Sequence, residues 1–242
     1  SEAFTRPKMM KALAKAGFTQ SYTYFTWRTH KQELTEYFTE LTQTEMREYF
    51  RGNLFTNTPD ILPLHLQTGG REMFAIRAVL AATLSSVYGI YSGFELCENA
   101  ALPGREEYLD SEKYQLKERD WDAPGNIKEL ISKLNRIRRE NRALQLYDNL
   151  RFHFAENDAI LFYSKMTLAR DSIILVAVNL DPGHTQTAFV HAPVEDFGEI
   201  SGESYEVEDL LTGDRYIWHG RRNYIALHPS LQPAHILRVR RL

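Results

Sequence analysis

The chain has 242 residues, 43% of them hydrophobic, enough to bury a sizeable core in one large or two modest domains. Its 29 Lys and Arg against 32 Asp and Glu leave a net charge of -3 with no block of like charge, which argues against nucleic acid or an anionic membrane as partner. The longest strongly apolar run, Ile173 to Val178, falls far short of the roughly 18 residues of a membrane span, and the amino end lacks a basic-then-apolar signal pattern. One cysteine, Cys97, excludes an internal disulfide framework, so the expected compartment is the cytoplasm. The eight histidines show no HExxH or paired spacing, and no metal is expected.

In chain order, Glu2 comes first, an acid followed by small and polar residues. SYTYFTW (21–27) is rich in aromatic and β-branched residues and predicts a strand. Thr29 with Gln32 predicts a capping box, after which Leu34, Tyr37, Phe38 and Leu41 follow helical spacing. A strand is predicted over 51–57, a helix buried on most sides over 69–84, and a third strand over 85–96 that runs into a loop. That loop, from about 97 to 125, is longer than structureless connections usually are, which predicts a binding or lid role. Asn126 with Glu129 predicts the cap of a last helix, whose apolar face is Ile127, Leu130, Ile131, Leu134 and Ile137.

From about Leu144 the pattern changes. ILFYSKM, SIILVAVNL, TAFVHA, YEVEDLL, NYIALH and HILRVRR alternate with turn sequences such as DPGH and LTGD, predicting an antiparallel sandwich or barrel of about seven strands. The predicted domains are therefore 1–143, with parallel βα units, and 144–242, all β. A closed (β/α)8 barrel needs eight strands and typically ~250 residues, whereas the first region supplies three or four units. The expectation is half of such a barrel, partnered by the upstream half of the same barrel. Glu2 would then end a strand whose body precedes this sequence, on the face where barrel enzymes place catalytic groups.

SEAFTRPKMMKALAKAGFTQSYTYFTWR, NLFTNTPDILP, YGIYSGFEL and EEYLDSEKYQLKERDWDAPGN together resemble the C-terminal half of the α-1,4-glucan:maltose-1-phosphate maltosyltransferases, a branch of the α-amylase superfamily. The resemblance implies the fifth to eighth strands of a (β/α)8 barrel followed by a β-sandwich. It implies transfer of a maltosyl unit from α-maltose 1-phosphate to an α-1,4-glucan with retention, without cofactor, by a complete protein that is a homodimer. It casts Glu2 as general acid/base and Asp60 as the second essential carboxylate, with Asn57, Lys113 and Tyr114 as substrate-binding residues. Taken alone, Glu2 reads as a solvated terminal acid, Asp60 as a turn residue and Lys113–Tyr114 as a charged loop. Tyr24, Arg28 and Glu95 stand near strand ends, where they serve either the pocket or its support.

The family's nucleophile is an Asp at the end of the fourth strand, and no Asp here stands in its GxRxD setting. The expectation is half an active site, inactive on its own. Two other readings stay open: an α-glucan hydrolase, in which amylases place a His where Pro59 precedes Asp60, and a non-catalytic fragment that binds glucan or a partner chain.

Overall fold

The computed structural model describes residues 5–111, 116–198 and 204–242. The first helix, α1 (Pro7–Lys15), was not anticipated from the sequence. It opens on a proline, whose missing N–H costs nothing in a first turn, and buries Met10 and Ala14, one turn apart. Three short parallel strands follow in the order β1 (Ser21–Tyr22), β2 (Gly52–Phe55) and β3 (Val87–Gly89). The strand predicted over 21–27 ends at Tyr22, and Tyr24–Trp27 forms a 3₁₀ turn. Side-chain hydroxyls replace the ladder there: Thr23 Oγ1 donates to Asn53 O at 3.2 Å and Thr26 Oγ1 to Phe55 O at 3.1 Å.

Between β1 and β2 runs α2 (Lys31–Gln43), with Leu34, Phe38 and Leu41 buried as their spacing predicts. The predicted capping box does not form, because the helix starts one residue later than that box requires. His30 precedes it without a side-chain cap, and Gln32 Nε2 donates instead to Glu36 Oε1 at 2.8 Å. Between β2 and β3 lie α3 (Leu64–Thr68) and α4 (Gly70–Leu84). Every residue of α4 from Met73 to Leu84 is buried, Arg77 included. The strand predicted over 85–96 shrinks to β3, since Gly93 and Cys97 take left-handed φ of 94° and 57° and turn the chain aside. Up to Ile127 the described residues then hold only the 3₁₀ turn Phe94–Leu96 and an isolated bridge between Ala101 and Tyr108. The last helix, α5 (Lys128–Glu140), buries Leu134 and Ile137, and Asn126 Oδ1 accepts the Lys128 N–H at 3.2 Å. Its Arg138 reaches across to Ser85 O at 3.0 Å and Ser86 O at 2.7 Å, fastening the helix to the approach to β3.

The remaining strands are β4 (Leu150–His153), β5 (Ile160–Met166), β6 (Ile173–Asn179), β7 (Gln186–His191), β8 (Ser204–Asp209), β9 (Arg215–His219), β10 (Arg222–Leu227) and β11 (Ala234–Arg240). They form an antiparallel six-stranded sheet, β4-β5-β6-β11-β8-β9, and an antiparallel pair, β7 with β10. β4 and β9 escaped the sequence reading because LRFH and RYIWH are short runs of 4 and 5 residues at the two edges of the sheet.

Two apolar cores meet at this sheet. Leu161, Tyr163, Ile174, Val176, Val178 and Ile236 pack with the helices of the first region, while their neighbours Ile160, Phe162, Ile173, Leu175, Ala177 and Leu237 pack with β7 and β10. The split follows the alternation of side chains along a strand. It explains why β5 and β6 are buried at every position. Among the described residues no helix is long and apolar enough to cross a membrane.

Candidate active site

In parallel sheets with helical crossovers, ligands bind beyond the carboxyl ends of the strands. Here those ends lead to Thr23, Thr56 and Ile90. Beyond β2 the chain makes a tight turn in which Thr58 N–H donates to Ile61 O at 3.0 Å and Ile61 N–H returns to Thr58 O at 3.2 Å. Asp60 rides on this turn with an exposed side chain, its own N–H held by Thr58 Oγ1 at 3.2 Å. Asp60 is thus carried on fixed backbone at an exposed position beyond the end of β2.

Asn57 is different. It is fully buried, with Nδ2 donating to Tyr108 Oη at 2.6 Å and Oδ1 accepting from Tyr91 N–H at 2.9 Å and Thr56 Oγ1 at 3.0 Å. Its amide is committed to protein partners, so the substrate contact expected of it has no geometric support. The side chain knots the end of β2 to the chain after β3 and to the long loop. Tyr108 packs edge-on to Tyr91, 5.6 Å between ring centres, and burial holds its hydroxyl well above the usual tyrosine range and hence neutral.

The long loop is fastened to the Asp60 turn at further points. Ser111 Oγ donates to Pro59 O at 3.0 Å. Glu106 accepts the Leu64 N–H at 2.7 Å and the Trp27 indole N–H at 2.9 Å, and its carbonyl accepts the Leu62 N–H at 2.8 Å. One residue from the loop therefore fixes the start of α3, the chain just after Asp60 and the segment after β1. Deeper in the same loop, Glu98 pairs with Lys117 at 2.9 Å and Arg119 at 3.0 Å.

Behind this rim sits Arg77. It donates to Phe25 O at 2.5 Å and Arg28 O at 2.7 Å, and its guanidinium lies 3.7 Å from the centre of the Phe25 ring. Full burial pushes its pKa down to about 9. The neighbouring His65 is pushed to about 3, chiefly by burial and further by the Arg77 charge, and is neutral near pH 7.

Of the sequence candidates, the structure brings Asp60 to the open end of the sheet and Asn57 beneath it. Glu2, Lys113 and Tyr114 lie outside the described residues. Arg28 and Glu95 serve as support: the Arg28 guanidinium lies 5.4 Å from the Tyr37 ring centre, and Glu95 Oε2 accepts the Gly93 N–H at 3.1 Å. Tyr24 does likewise through its hydroxyl, which donates to Thr5 O. Sequence reasoning missed Glu106, Tyr108, Ser111 and Arg77. A polar residue in a charged loop carries no periodic signal that names its distant partner, although an arginine amid the apolar run of α4 was visible.

The fold that carries these residues is that of α-amylases. The acarbose complex of the Geobacillus thermoleovorans α-amylase matches 99% of this chain and 52% of its own with a TM-score of 0.72 at 15% identity. An Anoxybacillus α-amylase matches 98% and 51% with a TM-score of 0.71, also at 15% identity. Within that fold the sequence comparisons are sharper. The family model described as "GLGE, C-terminal" matches residues 152–239. The α-1,4-glucan:maltose-1-phosphate maltosyltransferase of Rhodospirillum rubrum is 60% identical over 239 residues, 99% of this chain and 35% of its own length. That of Pseudomonas aeruginosa is 54% identical over 242 residues, 100% of this chain and 36% of its own. The resemblance read from the motifs is borne out: the chain matches the C-terminal part of the maltosyltransferases and spans little more than a third of the curated relatives' length.

Proposed function

We propose that this chain is part of an enzyme that transfers a maltosyl unit from α-maltose 1-phosphate to the non-reducing end of an α-1,4-glucan. The observation that carries the reading is the identity with relatives of that name over nearly every residue of the chain. We assign residues 1–143 to the second half of a (β/α)8 barrel and 144–242 to its β-sandwich. The parallel order β1-β2-β3 and the position of Asp60 beyond a strand's carboxyl end support the first assignment.

In this reading Asp60 hydrogen-bonds the sugar ring at the reacting centre and steadies the charge that develops there. Asn57 acts one step behind it, holding the Asp60 turn against the Tyr91 and Tyr108 segments. Glu2 takes the proton from the acceptor hydroxyl as general base, and Lys113 with Tyr114 binds the donor's far sugar. A retaining transfer also needs a carboxylate nucleophile about 5 Å from the acid/base. No Asp of this sequence stands in the matching setting, and the relatives are nearly three times as long. We therefore assign the nucleophile, and the ability to turn over at all, to the complete protein.

Glucan hydrolysis is the competing chemistry. The complete protein should release phosphate from α-maltose 1-phosphate only as fast as it lengthens a glucan, and Asp60→Asn should lower that rate about 10²–10³-fold with an unchanged melting temperature. Phosphate assay and product sizing check both. Free maltose as the main product, or near-normal turnover by Asp60→Asn, would refute the assignment.

A further inference from the structure

Arg77 is among the largest fully buried side chains of the protein, and among the described residues it forms no ion pair. A guanidinium taken out of water without a carboxylate partner is costly unless its N–H groups find acceptors elsewhere. Arg77 finds them on the backbone of one short segment. Its Nη2 donates to Phe25 O at 2.5 Å and its Nη1 to Arg28 O at 2.7 Å.

Those two carbonyls bracket Thr26 and Trp27. Phe25 O also accepts the Arg28 N–H, at 3.0 Å, which closes the 3₁₀ turn Tyr24–Trp27. A planar guanidinium offers two separate Nη groups in a rigid fork, and so spans a pair of carbonyls that a single ammonium would have to share. At the other end of the turn the Tyr24 N–H donates to Tyr37 Oη on α2 at 3.0 Å. Arg77 therefore staples the turn's far end to α4, from beneath.

The same turn holds the Asp60 turn on both flanks. On the near side, Thr26 Oγ1 donates to Phe55 O at the end of β2. On the far side, the Trp27 indole N–H donates to Glu106 Oε2, and Glu106 Oε1 accepts the Leu64 N–H. Phe55 and Leu64 enclose Asp60 in sequence, and both are tied to neighbouring residues of the turn that Arg77 fixes. A backbone shift at 25–28 would reach Asp60 by two routes at once.

We propose that Arg77 is a positioning residue for the transfer reaction, holding the Tyr24–Trp27 turn so that the Asp60 carboxylate meets the sugar at the reacting centre. The proposal rests on the role assigned to Asp60 above. Arg77 acts through the backbone and through Asp60. A misplacement of about 1 Å at a reacting centre costs about 10²-fold in rate. Because Asp60 is assigned to charge that develops in the transition state, the loss should fall on kcat and not on donor binding.

The test is a double-mutant cycle in the complete protein, following phosphate release from α-maltose 1-phosphate at saturating glucan. Arg77→Lys keeps the charge but loses the fork, and should lower kcat about 10–10²-fold, with KM for the donor changed about threefold or less. In an Asp60→Asn background the same substitution should cost about twofold or less, because the group it positions is already gone. Substitution at a fully buried site can cost the fold itself, so Thr26→Val serves as a second variant. It cuts the bond to Phe55 O while keeping the side chain's shape, and should show the same loss of kcat and the same dependence on Asp60. Undiminished kcat in the folded variants, equal losses in both backgrounds, or a loss confined to KM would overturn the proposal and leave the role of Asp60 standing. Near-normal turnover by Asp60→Asn alone would remove the role that Arg77 serves, and both readings would fall.

Discussion

Lys165 spends its ammonium group inside β5, where it donates to Leu146 O at 2.7 Å. Burial, and after it the charge of Arg138, pushes its pKa from 10.5 down to about 7. Between those two values the unfolded chain binds the proton more readily than the folded one, so stability rises as pH climbs through that window. His153, whose Nε2 lies 2.7 Å from Ser164 Oγ, is lowered by burial from 6.5 to about 4. Below pH 6.5 the unfolded state again takes up the proton first, and stability falls as the pH drops toward 4. Calorimetry of the complete protein should show both limbs. The melting temperature should rise more from pH 7 to 9 than it does in Lys165→Met, whereas the two proteins should run parallel below pH 7. Parallel curves over the alkaline range as well would mean that the buried amine keeps its proton.

At the scale of elements, the long loop behaves as a strap over the Asp60 turn, and Glu106 is its main buckle. Glu106→Ala removes the bonds to Leu64 N–H and the Trp27 indole at once, while the backbone bridge from Leu62 to residue 106 can remain. Amide hydrogen exchange at Leu62 and Leu64 should then quicken about tenfold or more, with little change in global melting, because the loss is local. Exchange as slow as in the wild type would mean that the buckle carries no load. The sequence predicted this loop's length but none of its fastenings. Helix α4 and strands β5 and β6 were legible because long apolar runs advertise burial. The role proposed for Asp60 rests on its motif alone, since an Asp in a turn has no local feature that marks it as chemistry. Strand β1 was overread because YFTW has strand composition but bends where Thr23 and Thr26 tie it to β2.

Across the whole molecule, the six-stranded sheet is a wall shared by two cores. The buried hydroxyls of Thr83 on α4 and Tyr163 on β5 meet at 2.5 Å on one side of it, and Phe162 points to the other. Residues 144–242 made alone would bare Tyr163, Ile174, Val176, Val178 and Ile236 along one face. Such a fragment should self-associate on gel filtration and bind a hydrophobic dye; a monomeric, dye-silent fragment would show that the wall stands without the helices. The same feature limits how this β region travels between proteins. Grafted onto an unrelated catalytic unit, it would arrive with an oily back that only a matching set of helices can cover. Gene fusion can move the region freely only together with the helical half it leans on.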